Sequence, residues 1–217
     1  MKGLLVKDFR LMKINIKSIL MIMLMALGYN IIAGNEVAAT MTGMITFIFG
    51  NIAMNSVAYD EADNGFSYIM TLPFSKKTYV IEKYIFTLLA TMIGGILSIL
   101  ISFIFSKNLK ESFATTAVVE IMVLLMASII LPIYIKFGIE KARNYMYVIY
   151  GMIIIGVFML AKYAKSMMVN NSYIGKIFMK ITTMDLLYVV LAGLAIALIV
   201  YMFSMIISIN IMKKKEF

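Results

Sequence analysis

Cysteine and histidine are both absent from the 217 residues. Without cysteine there are no disulfides, no thiol nucleophile and no thiolate metal ligand. Without histidine the chain lacks the commonest general base and the commonest metal ligand. There is no Gly-x-x-x-x-Gly-Lys-[Ser/Thr] phosphate loop, so any ATP the protein uses is bound by another chain. Charge is scarce as well: 14% of residues are charged, against about 25% in a soluble domain. What fills the space is apolar. The hydrophobic fraction is 63% and the mean hydropathy +0.96. A soluble globule of this length cannot hide that much apolar surface. The composition excludes a secreted disulfide scaffold, a disordered tail and an ordinary cytosolic enzyme, and leaves a protein whose solvent is mostly lipid.

A helix crosses the hydrocarbon core with about 17–25 predominantly apolar residues. Six stretches qualify, at 18–34, 37–59, 81–105, 113–135, 145–162 and 186–212. The expected fold is an all-α integral membrane protein forming a single domain over 1–217. The basic segment ahead of the first stretch looks structured, and the apolar run is long for a signal peptide. The net charge of +9 is read as orientation rather than as affinity for nucleic acid. With both termini cytoplasmic, fourteen of the 20 Lys and Arg face inward, as the positive-inside rule requires. The loop between spans 5 and 6, with Lys162, Lys165, Lys176 and Lys180, fits least well.

Three shorter segments carry patterns of their own. In 1–17, Leu5, Phe9, Met12 and Ile16 recur at helical spacing, with Lys2, Lys7, Arg10, Lys13 and Lys17 largely off that stripe. The pattern predicts an amphipathic helix in the inner membrane interface, its basic face towards anionic headgroups. In 163–185, Ile174, Ile177, Phe178 and Ile181 repeat at i, i+3, i+4, i+7 and predict short re-entrant or surface helices on the outer side. The stretch after span 2 reads YDEADNGFSYIMTLPFSKKTYVIEKY from Tyr59 to Tyr84. An acidic cluster (Asp60, Glu61, Asp63) precedes Asn64-Gly65, a turn signal. A short apolar run then ends at Pro73, and Ser75 is placed to cap the next helix. Phe66, Tyr68, Ile69, Met70 and Leu72 form an apolar patch too large for a loop without a partner, so the segment is expected to dock onto one.

Inside the spans, Ala90, Gly94, Ser98, Ser102 and Ser106 form an i, i+4 row of small residues, which lets helix backbones approach closely. Thr40, Gly43, Phe47, Gly50, Asn51, Met54 and Asn55 share a face of span 2. Its two Asn residues either bond to a neighbouring helix or line a hydrated path. Glu120 is the one carboxylate read well inside a span, a functional candidate by default. Phe47, Asn51, Asn55 and Glu120 are therefore the substrate-path candidates. Pro132 predicts a kink near the inner end of span 4. The 22 Met residues suit either an adaptable binding surface or plain replacement of Leu on lipid-facing positions.

The basic N-terminal helix, the six spans and the acidic cluster–Gly65–short apolar helix–Leu72-Pro73-Phe74-Ser75-Lys76-Lys77 segment, with Val80 and Lys83-Tyr84 after it, together resemble permease subunits of type-2 ABC exporters, the ABC-2 family. The nearest flavour is the short permeases of phenol-soluble modulin export and bacitracin-type peptide efflux. The resemblance implies a bacterial plasma-membrane subunit that pairs with a second permease, identical or paralogous, and with a cytoplasmic ATPase that binds ATP and Mg. It also implies a coupling helix in 60–77. Asp60, Glu61, Asn64, Gly65, Phe66, Tyr68, Ile69, Met70, Leu72, Pro73, Lys76 and Lys77 are the ATPase-coupling candidates. The permease chain would be non-catalytic and hold no cofactor, and would export amphipathic or hydrophobic peptides. The alternative is an ion-coupled secondary transporter working through Glu120.

Overall fold

A computed structural model describes residues 2–17, 19–21, 24–25, 28, 35–61, 65–71, 74–106, 109–169 and 186–215. Among these residues every regular element is a helix. They are α1 (Lys2–Ile14), α2 (Asn35–Met54), α3 (Ser56–Glu61), α4 (Gly65–Met70), α5 (Lys76–Ser106), α6 (Leu109–Val169) and α7 (Leu186–Lys214). Among the described residues three stretches are long and apolar enough to cross a membrane: Lys76–Phe103, Ser112–Gly138 and Leu187–Lys214. Most of the first expected span, and residues 170–185 of the 163–185 segment, lie outside the described residues.

The second expected span falls on α2 and α3, which follow one another through Asn55: its amide donates to the Asn51 carbonyl at 2.9 Å, and the Tyr59 amide donates to the Asn55 carbonyl at 3.1 Å. The α5 helix starts where the sequence predicts a cap: the Thr78 amide donates to Ser75 Oγ at 3.1 Å, satisfying one of the helix's open N–H groups. At 31 residues α5 is about 46 Å long, against a hydrocarbon core of about 30 Å. One end therefore projects, and it is the end that carries Lys76, Lys77, Glu82 and Lys83.

The small-residue row of α5 packs as expected. Gly94 meets Phe49 and Thr46 of α2, where an added Cβ would lie 2.9 Å from the Phe49 side chain. Ser98 and Ser102 face α6 through hydroxyl contacts with Thr116 (3.3 Å) and Ser112 (3.0 Å). The α6 helix is two helices joined at Gly138, whose φ of 76° and ψ of 172° only glycine adopts readily. An added Cβ there would also run into the Glu61 carboxylate. The break between the two helices thus falls at Gly138, six residues after Pro132, which lies within the first of them.

Polar pairs tie α5, α6 and α7 together. Tyr84 OH shares hydrogen bonds with Ser204 Oγ (2.7 Å) and Ser208 Oγ (2.8 Å), Ser204 Oγ donates to the Ser128 carbonyl, and Tyr201 OH donates to the Tyr84 carbonyl. With no hydrophobic force between helices in lipid, such pairs and close packing hold the bundle together.

Candidate functional site

The projecting end of α5 is where the charged residues meet. Lys83 is fully buried, and its ammonium is surrounded by oxygen. Nζ donates to Asp8 Oδ2 at 2.5 Å and to Ser56 Oγ at 3.2 Å, and it lies 2.6 Å from Asp60 Oδ2. Tyr79, one turn earlier on α5, donates its hydroxyl to the same Asp60 Oδ2 at 3.0 Å. Lys7 pairs with Asp60 Oδ1 and stands 3.4 Å from Asp8 Oδ1. Glu82 completes the group, its Oε2 3.9 Å from Lys83 Nζ and neither oxygen hydrogen-bonded. A lone buried ammonium costs several kcal/mol; its partners' attraction and hydrogen bonds must offset that for the site to exist.

Three segments distant in sequence are joined here. Asp8 comes from α1, Ser56 and Asp60 from α3, and Tyr79, Glu82 and Lys83 from α5. The apolar stripe of α1 explains the approach. Leu5, Phe9 and Met12 pack on Ala53, Phe86 and Ala90, and Phe9 meets Phe86 edge to face at 5.2 Å. These three residues of the stripe therefore pack on the protein's own helices, whereas the fourth, Ile16, is exposed. Arg10, Lys13 and Lys17 are exposed on the opposite side, and Lys7 is drawn into the cluster; the Lys2 side chain lies outside the described residues.

The short α4 helix adjoins the cluster. Its apolar face turns inward: Phe66 and Ile69 are buried in the core shared by α5, α6 and α7, and Phe66 meets Tyr79 edge to face at 5.2 Å. This corrects the expectation of an exposed apolar patch at these two positions. Gly65 is constrained by close approach, since a Cβ would lie 2.9 Å from the Asp60 carbonyl oxygen. Glu61 sits against Gly138, Lys76 Nζ donates to the Lys215 carbonyl at 2.5 Å, and Lys77 is exposed. Asn64, Leu72 and Pro73, and the side chains of Tyr68 and Met70, lie outside the described residues.

The substrate-path candidates do not converge. Asn51 Nδ2 donates back to the Phe47 carbonyl at 3.2 Å, one turn up its own helix. Asn55 accepts from Tyr134 OH at 3.0 Å, a helix-packing contact. Phe47 is exposed on the outer surface of α2. Glu120 lies half-buried on α6 beside Gly95 of α5, where an added Cβ would be 3.6 Å from Oε2. Glu82 also falls in the Lys76–Phe103 stretch, but near its charged end rather than well inside it.

Asp8 and Glu82 are not among the sequence candidates, and Lys83 enters there only with Tyr84, in the segment that carries the family resemblance. Their signal is an acid at Asp8 beside the Leu5–Phe9 stripe, and a Glu-Lys pair among Tyr79, Phe86 and Ala90. Among the described residues no group of three or more acidic side chains is placed to hold a metal ion.

Comparison with protein families returns one model, described as ABC-2 family transporter protein, matching residues 3–213. No curated protein and no solved structure matches the chain.

Proposed function

The chain belongs to the ABC-2 transporter family, and on that premise we propose that it is the non-catalytic permease subunit of an ATP-driven exporter of amphipathic or hydrophobic peptides. Its ATPase partner, which the family implies, supplies ATP and Mg chemistry from the cytoplasm. Six spans, cytoplasmic termini and a second permease subunit in a bacterial plasma membrane complete the reading. The observation that carries it is mechanical. The α4 helix is keyed into the core by Phe66 and Ile69, and the α3 segment before it is bound by Asp60 to Lys83 of α5 and Lys7 of α1. A push on α4 by an ATPase therefore reaches α5 and α1 without passing through a flexible joint. The positive residues at this end, Lys76, Lys77, Lys136 and Lys213–Lys215, agree with a cytoplasmic side.

Exposed Thr71, at the end of α4, is the place to test contact with the ATPase. The chain has no cysteine, so Thr71→Cys carries a single photo-crosslinker. With the partner ATPase co-expressed, it yields a permease–ATPase adduct, and the same probe at Lys110→Cys does not. Equal adducts at both positions, or none at Thr71, would sink the coupling role.

A further inference from the structure

The inner ends of α6's first half and of α7 lie side by side, held by Lys215 Nζ donating to the Ile135 carbonyl at 3.1 Å. Between them opens a cleft of about 400 Å³ lined by Lys136, Ile211, Lys214 and Lys215. Among the described residues no carboxylate lines it. Lys215 is engaged with Ile135 and lies 5.2 Å from the Phe66 ring centroid. Lys136, 4.9 Å from the Phe137 ring, and Lys214 are exposed, so two ammonium groups border the cleft.

Ile211 gives this basic cleft an apolar floor. Along α7, Ile207 and Phe203 continue from it at four-residue steps, both more than half exposed. Phe203 then belongs to a second, wholly apolar groove of about 280 Å³ with Ile199, Met202 and Ile206. From Ile199 to Ile211 is about 18 Å of helix, close to half of the roughly 30 Å hydrocarbon thickness. A cationic cleft at one end of α7 and an apolar groove farther along the same helix are thus two separate features, with exposed Ile207 between them.

We propose that together they form a binding site for an anionic phospholipid, with its headgroup phosphate between Lys136 and Lys214 and an acyl chain along the Ile207–Phe203 side of α7. Basic pockets between helices on the cytoplasmic side are suited to such headgroups. Inorganic phosphate has the same charge but makes no use of the apolar groove. The site rests on the chain's membrane placement and not on the ATPase or the substrate, so either reading can fail alone.

The test is lipid titration of the detergent-purified full chain by native mass spectrometry. Dioleoylphosphatidylglycerol is expected to bind at least about 10-fold more tightly than dioleoylphosphatidylcholine. The double variant Lys136→Gln/Lys214→Gln should weaken phosphatidylglycerol binding about 25-fold, about fivefold per lysine. It should leave phosphatidylcholine binding unchanged, which also reports a folded protein. Lys77→Gln/Lys110→Gln, with the same loss of charge, should stay within about twofold of the parent. Three results would overturn the proposal: equal weakening by both double variants, equal affinity for the two lipids, or competition by inorganic phosphate at the lipid's own concentration. Loss of ATPase co-purification with lipid binding intact would also overturn it, by assigning the cleft to the ATPase.

Discussion

Replacing Lys83 with Met removes the cation on which the inner end of the bundle is organised while keeping the length of its aliphatic stem. Lys83 is fully buried and contacts Asp8, Asp60 and Ser56. Its removal leaves two carboxylates, also buried, that share Lys7 as their remaining cation among the described residues. Breaking a buried pair from one side costs about 3–5 kcal/mol. For a chain of this length each kcal/mol is about 2–4 °C in melting temperature, so a fall of order 10 °C is expected. Neutralising the whole group, with Asp8→Asn and Asp60→Asn added to Lys83→Met, should recover most of it, because a buried ion cluster replaced as a unit is often near neutral. The chain lacks Trp, so unfolding is followed by loss of the monodisperse gel-filtration peak after heating. A single-variant fall below about 3 °C, or a triple variant worse than the single, would refute this electrostatic account.

Gly138→Ala forces a side chain into a backbone region reserved for glycine and against Glu61. It should destabilise by at least about 1–3 kcal/mol, read in the same assay; an unchanged melt would mean that the reversal lies elsewhere. Phe66→Ala empties a core position and should cost about 3–5 kcal/mol, whereas exposed Lys77→Ala should stay within about 0.5 kcal/mol; parity between them would contradict the inward face of α4. Glu120→Gln should leave ATP-dependent peptide export from inverted vesicles intact and indifferent to protonophore. Export abolished by protonophore with ATP present would favour the ion-coupled alternative.

The helices were legible because their signals are local. Apolar run length located the α5, α6 and α7 spans, and Ser75, the i, i+4 small row and the Gly65–Met70 segment were read correctly as a cap, a packing face and a short helix. What local pattern does not contain is the partner of each face. The stripe of α1 and the apolar side of α4 both needed burial, and sequence alone does not distinguish lipid or another protein from the chain's own core. The ionic cluster was hidden for the same reason. Asp8, Asp60 and Lys83 are 75 residues apart at the extremes, and only the fold makes them neighbours. The break at Gly138 was not legible, because its φ and ψ follow from packing against Glu61 rather than from any local pattern.

The central claim is that α4, the ionic cluster and α1 transmit motion as one body. Spin labels at Thr71→Cys and Arg10→Cys, both exposed positions in a chain without other cysteines, measure it by pulsed electron paramagnetic resonance in the complex with the ATPase. The account predicts the same narrow distance distribution in the nucleotide-free and ATP-trapped states, and a broadened one when Asp8→Asn weakens the tie to Lys83. A distance that shifts on ATP binding with the cluster intact would show α4 moving independently of α1, and would contradict it.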